Sequence, residues 1–268
     1  MKKKITIGIV AVIVLFACLQ TTIVAGGHSK HECAMSESPQ LQGFSDNSEG
    51  FVNLADVIPD AILEIRYYST YNFIGTRVDG YLEPVALLTQ RAADSLRAVS
   101  DELVKKGYRL KIYDAYRPKC AVDHFVRWAN DANDTRMKPY FYPKVSKDKL
   151  FELGYIARRS GHTRGSTVDL TLFDMTTAKE VDMGGTFDWF GVESHPSFGG
   201  NPKTGKYKAN PHITEEQFNN RMMLRQAMMK HGFRPVGSEW WHFTLINEPF
   251  PHTYFTFPVK QLDKKTGN

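Results

Sequence analysis

Cysteine is scarce in this 268-residue chain, with three in all, and Cys18 lies inside an apolar leader. That leaves Cys33 and Cys120, and two cysteines without a repeated spacing exclude a scaffold built on disulfides. They could join in an oxidising compartment; the reading leans toward unpaired or variable thiols and leaves their pairing open. A charge imbalance is also lacking. Removing Lys2, Lys3 and Lys4 with the leader takes the 34 Lys and Arg to 31, against 29 Asp and Glu. No electrostatic case for a nucleic-acid partner remains. No internal repeat is found. With 42% apolar and 24% charged residues, the composition argues against both disorder and a multi-span membrane protein. What is left is an enzyme-sized domain, long enough to bury a core.

The N-terminus is set apart. "MKKK" precedes "ITIGIVAVIVLFACLQTTIVAGG", a basic start, an apolar run and small residues in the layout of an export signal. Residues 1–25 are read as a leader, either lipidated at Cys18, cleaved near Ala25, or kept as a membrane anchor. Each route puts the body outside the cytoplasm, periplasmic or at an outer surface, with membrane attachment through the N-terminus only. Residues 26–50 are polar and turn-rich and read as a flexible stalk. His28, His31 and Cys33 have a faintly metal-like spacing there, with no fourth ligand. A domain is expected over 51–268.

Within it, "AILEIRYYSTYNFIG" reads as a strand entering a turn. "LTQRAADSLRAVSDELVKKG" reads as a helix stopped at Gly107, "YRLKIYDAY" as a strand, "KCAVDHFVRWAND" as a helix and "SKDKLFELGYIA" as a weaker one. Residues 173–211 read as loops over a site. "TEEQFNNRMMLRQAMMKHGF" is a helix capped by Thr214, with Met222, Met223, Met228 and Met229 as core filler, and "WWHFTLI" closes the body as a strand. The fold class expected is α+β: one domain with helices packed on a mostly antiparallel sheet. The oligomeric state is not legible.

Three stretches could carry chemistry. In "SGHTRGSTVDLTL", His162 and Asp169 lie six residues apart, with Gly161 and Gly165 letting the chain fold back so both can reach one metal ion. A solvated turn histidine and a strand-end aspartate would give the same spacing. In "SEWWHF", Glu239 and His242 could supply a proton-accepting carboxylate and a ligand. An undistorted strand would send i and i+3 to opposite faces, so a bend or bulge is required. Trp240, Trp241 and Phe243 read as core. In "YDAYRP", Arg117 is framed by Pro118 at a strand end, either to stabilise an oxyanion or as a structural ion pair with Asp114.

The order YDAYRP, SxHxRGxxxDLTL, EWWHF resembles the D-alanyl-D-alanine dipeptidases of the VanX type, zinc enzymes within a wider group of D,D-peptidases, over roughly Phe51 to Pro258. The resemblance implies one zinc per chain bound by His162, Asp169 and His242, with Glu239 as general base and acid and Arg117 stabilising the tetrahedral intermediate. It implies that Ser160 helps hold the substrate carboxylate, that Asp188 in "MGGTFDWF" meets the substrate ammonium, and that a tyrosine of "RYYSTYNFIG" lines the pocket. Among Tyr67, Tyr68 and Tyr71, spacing to the following "NF" favours Tyr68 or Tyr71. A small D,D-dipeptide fits this logic, because a site that demands both charged ends can use Asp188 for one and Ser160 for the other. The rivals are a D,D-carboxypeptidase trimming peptidoglycan stems and a non-catalytic peptidoglycan-binding lipoprotein. Familiar members are cytoplasmic, so the leader is a departure.

Overall fold

The computed structural model describes residues 43–263. The leader, Cys18, Cys33 and the histidines at 28 and 31 lie outside the described residues. No helix among the described residues is long and apolar enough to cross a membrane.

Six strands form the central sheet: β1 Ile62–Leu63, β2 Tyr108–Asp114, β3 Thr167–Asp174, β4 Lys179–Glu180, β5 Phe233–Pro235 and β6 His242–Leu245. Their order is β5-β6-β3-β2-β1, with β4 also on β3. β1 runs parallel to β2, and every other pair is antiparallel. β3 is the centre of the molecule, buried from Thr167 to Leu172. Because side chains alternate along a strand, Val168, Leu170 and Leu172 share one face, and Thr167, Asp169 and Thr171 share the other. That second face is polar and still buried, the unusual combination that marks a site.

Helices α1 Gln90–Val104, α2 Lys119–Asn130 and α3 Glu215–Lys230 form where apolar positions recur every three or four residues. α1 buries Ala92, Leu96, Val99 and Leu103; it lies against α3 and β2, and α3 lies against β5. α3 starts with a reciprocal capping box between Thr214 and Gln217, which satisfies two of the orphan amides at its start. Met222 and Met228 are core, Met223 packs at its edge, and Met229 is exposed, contrary to the reading of all four as filler.

Several expected elements are shorter than read. The strand predicted from Ala61 stops at Leu63, and turns follow to Gly75. The cause is Asn72: its amide donates to the carbonyls of Arg66, Ser69 and Thr76 and accepts from the amides of Ile74 and Gly75. One side chain here does what a strand partner would do. The helix expected from Ser146 is a single 3₁₀ turn, Lys147–Lys149. Lys147 is buried and gives its ammonium to the carbonyls of Trp128, Asp131 and Asp134, so the segment serves the end of α2. Residues 173–211 are largely irregular, as expected, with short paired pieces such as Gly200–Asn201 on Lys206–Tyr207. The final strand begins only at His242; Trp240 and Trp241 sit in the turn before it, both buried.

Paired structure begins before Phe51. Phe44–Ser45 runs parallel to Tyr254–Phe255, so the stretch read as stalk already belongs to the body from Phe44, where its ring meets Tyr254. Cys120 is disulfide-bonded, whereas the sequence alone leans toward unpaired or variable thiols.

Candidate active site

Three neighbouring strands set three polar side chains in a row. Asp169 of β3 pairs with Asp114 of β2 on one flank and His242 of β6 on the other. The β2 register slips between Ile112 and Asp114, and this bulge re-aims Asp114 toward the polar face. His162 arrives from the 3₁₀ turn Gly161–Arg164 that precedes β3. The turn is closed by Gly165 at φ +77°, where a Cβ would lie 2.2 Å from the Phe51 ring. Glycine is required there twice over, for backbone sign and for space. At the other end the Ser160 hydroxyl accepts from the His162 amide at 3.3 Å.

The result is a triangle of ligand atoms. His162 Nε2 lies 3.3 Å from His242 Nδ1 and 3.1 Å from Asp169 Oδ2, and His242 Nδ1 lies 3.0 Å from Asp169 Oδ1. Asp169 Oδ1 is buried without a hydrogen bond of acceptable geometry, although a ring nitrogen is that close. Lone pairs crowded together and aimed at a common point are what a metal site looks like without its ion. Among the described residues, these three form the group that could hold a metal ion. His162 Nδ1 is 2.7 Å from the Ala115 carbonyl. That bond makes Nδ1 the donor and leaves Nε2 as the free acceptor, the second contact that orients a histidine ligand.

Arg117 borders the triangle. Its Nε donates to Asp114 Oδ2 at 2.9 Å, its Nη2 lies 2.8 Å from the same oxygen and 3.6 Å from Asp169 Oδ2. Tyr67 and Phe125 present their ring faces to its guanidinium at 4.8 and 4.9 Å. Asp114 in turn accepts from the Tyr81 hydroxyl at 2.6 Å. Burial disfavours the Arg117 cation, but Tyr67, Asp114, Tyr81 and Asp169 more than offset it and its pKa is raised. The ion pair with Asp114 read from the sequence is therefore present, and it is what holds Arg117 beside the triangle.

Glu239 stands in the turn before β6, so the opposite-face problem for Glu239 and His242 does not arise. Its Oε2 lies 3.5 Å from His242 Nδ1, and a third of its side chain faces solvent. Burial of its carboxyl and the nearby Asp169 raise its pKa against the pull of His242, His162 and Arg117. Asp188 sits in the long irregular region at φ +60°, a conformation few non-glycine residues adopt. It is buried, and it accepts from the Tyr67 hydroxyl at 2.9 Å. Burial and then Asp169 push its pKa upward, against Arg117 and Tyr67.

The tyrosine that reaches Asp188 is thus Tyr67, not Tyr68 or Tyr71. Tyr68 is half-buried beneath the Arg77 guanidinium, and Tyr71 is exposed over Arg66. The spacing to "NF" misleads because Asn72 folds those residues into turns. Alternation of buried Ile65 and Tyr67 was the signal available. Tyr81 was missed altogether, since nothing in "DGYLE" distinguishes it.

Comparison with known proteins agrees with this geometry. The profile of the M15 peptidases described as D-ala-D-ala dipeptidase matches residues 47–260. A D-alanyl-D-alanine dipeptidase of Enterococcus faecalis is 38% identical over 210 residues, 78% of this chain and 98% of the relative. Proteins of the same name from Enterococcus faecium and Streptomyces coelicolor are 35% and 38% identical, over 79% and 73% of this chain and 98% and 91% of theirs. With a match that spans the whole sheet and every residue of the triangle, this chain belongs to the M15 peptidase family, in its D-ala-D-ala dipeptidase group.

Proposed function

We propose that this protein hydrolyses the free dipeptide D-alanyl-D-alanine to D-alanine with one zinc ion per chain. The observation that carries the reading is the convergence of His162, Asp169 and His242 on one point with Glu239 and Arg117 at its rim. The donor set fits zinc: two imidazole nitrogens and a carboxylate oxygen, leaving a fourth position open, are a known catalytic combination. Ligands about 2.0–2.1 Å from a tetrahedral ion are about 3.3 Å apart, close to the separations of 3.0–3.3 Å here.

When bound, zinc supplies Lewis acidity toward the scissile carbonyl and the attacking water. Glu239, with its raised pKa, is suited to take the proton from that water and return it to the leaving amine. Arg117, fixed by Asp114 and two ring faces, offers positive charge where the carbonyl oxygen becomes anionic. Asp188 is a buried acid that accepts from the Tyr67 hydroxyl and would accept the substrate ammonium; Ser160 lies on the His162 side, where the carboxylate would be received. The relatives' names support the dipeptide. The basic start and apolar run of residues 1–25 support an exported, periplasmic or outer-surface enzyme, with Cys18 as a point of lipid attachment.

The test is hydrolysis of free D-alanyl-D-alanine and of its N-acylated form by the purified protein, with and without a chelator. The expected result is cleavage of the free dipeptide alone, lost on chelation and restored by zinc. Preference for the acylated form would mean a D,D-carboxypeptidase. Cleavage of neither at saturating zinc would mean a non-catalytic binding protein.

A further inference from the structure

Arg221 occupies a place where its residue type is unexpected. It lies on the core-facing stripe of α3 between Phe218 and Leu224 and is 1% exposed. No carboxylate pairs with it among the described residues. Instead, its Nε donates to the Met183 carbonyl at 2.6 Å, and its Nη1 to the carbonyls of Glu193 at 3.0 Å and His195 at 3.3 Å. Desolvation lowers its pKa to about 10, so the cation persists at neutral pH and remains a donor. Asp182 is the acid whose charge favours the cation, without a direct ion pair, and Nη2 is buried with no hydrogen bond among the described residues. A buried cation so placed is costly, and a fork of donors can serve carbonyls at different points of a chain.

Those carbonyls are the two ends of one segment. Residues 183–195 leave the sheet, carry Asp188 at its left-handed φ, and return, and both ends close on one guanidinium. The same group lies 5.7 Å from the Trp240 ring, and the Trp240 amide donates to Ser194 between the pinned carbonyls at 2.9 Å. Asp188 and Glu239 have no strand ladder of their own. They are held relative to each other through this junction and through the Phe187 ring against Trp241 at 5.3 Å.

We propose that Arg221 is a positioning residue that holds the Asp188 segment against the Glu239 turn, and thereby sets recognition of the substrate's free ammonium. It acts through Asp188 and touches neither substrate nor metal. The inference rests on the dipeptidase reading for its kinetic consequence, while its structural part is independent of any substrate.

The test uses the full chain and the variants Arg221→Met, Arg221→Lys, Asp188→Asn and the double variant Arg221→Met with Asp188→Asn. For free D-alanyl-D-alanine, Arg221→Met should raise KM about tenfold while kcat falls less than about threefold, with zinc content unchanged. Arg221→Lys, which can replace one donor but not the fork, should fall between it and the parent. The double variant should have the KM of Asp188→Asn alone, because two changes in one pathway do not multiply. Hydrogen exchange should quicken over 183–195 in Arg221→Met and Arg221→Lys while β3 keeps its protection. This readout decides whether the clamp exists even if the parent cleaves no dipeptide, an outcome that would reject only the proposed activity. Multiplying KM effects, a loss confined to kcat, or unchanged exchange over 183–195 would each overturn the proposal.

Discussion

His162, Asp169 and His242 are held by a strand ladder and a capped turn, whereas Asp188 and Glu239 stand on irregular backbone fixed by side chains and a few long-range bonds. The ligand half has its aim built in: β-sheet register places His242 opposite Asp169, and Gly165 turns His162 back toward both. The other half reaches the same point by tertiary contacts alone, with Phe187 stacked on Tyr113 at 4.7 Å and packed edge-on against Trp241 at 5.3 Å. On the proposed zinc dipeptidase reading, metal geometry tolerates little displacement, whereas the substrate-facing groups must adapt to a molecule that enters and leaves. The division of materials follows that division of demands.

The largest effect should come from breaking the ligand half. His242→Ala or His162→Ala should lose zinc and all measurable turnover together, by metal analysis and assay on one preparation; full zinc occupancy in either would reject the ligand assignment. Glu239→Ala should separate the halves, keeping zinc while lowering kcat by about 10²–10⁴-fold, the usual worth of a general base. Near-parental turnover in that variant would mean another group accepts the proton. Gly165→Ala tests how the ligand half is built. A Cβ at positive φ costs about 1–2 kcal/mol, and overpacking against Phe51 adds about 1–3 kcal/mol, so denaturant unfolding should show a loss of about 2–5 kcal/mol. An unchanged midpoint would show that Phe51 can move aside.

A smaller effect is expected from Asp188→Asn. Losing a charge-assisted hydrogen bond worth about 1.5–3 kcal/mol should raise KM for the free dipeptide about 10–150-fold, with zinc retained. A parental KM would remove Asp188 from ammonium recognition. Smallest, and outside both halves, is the Glu102 cluster joining α1 to α3. Lys106, Lys230 and His231 hydrogen-bond to Glu102 and hold its pKa at about 2. A depressed acid stabilises the fold above its unfolded pKa near 4.5 and loses that contribution as pH falls toward 2. Glu102→Gln should therefore lower Tm slightly at pH 7 and converge with the parent at acid pH. A difference that grows on acidification would contradict the sign.

The contrast also explains what could be read from the chain. α1, α2, β2 and β3 announce themselves through local pattern and α3 through its Thr214 cap and glycine stop, and His162, Asp169, Glu239, His242 and Arg117 are grouped in short motifs because each motif is one local structure. Asp188 was reached through resemblance. Tyr67 left only the weak signal of its alternation with Ile65, and Tyr81 and Arg221 left no local pattern: each matters for what it meets across the fold, at Asp188, at Asp114 and at the carbonyls of residues 183–195. Asn72 hides its effect in the same way, since an asparagine that replaces a strand partner looks like any turn residue.

The pairing of β6 with β3 has a consequence for the order of assembly. His162 and His242 are 80 residues apart in the chain, so a long loop must close before their nitrogens meet. Such distant contacts form late and slowly, so an unfolded or half-folded chain offers the ion no more than scattered single ligands. An ion that binds only the closed sheet adds its binding energy to that closure. On the proposed zinc reading, removing the ion should loosen the β3–β6 seam ahead of the helices, making metal occupancy a gauge of whether that seam is closed.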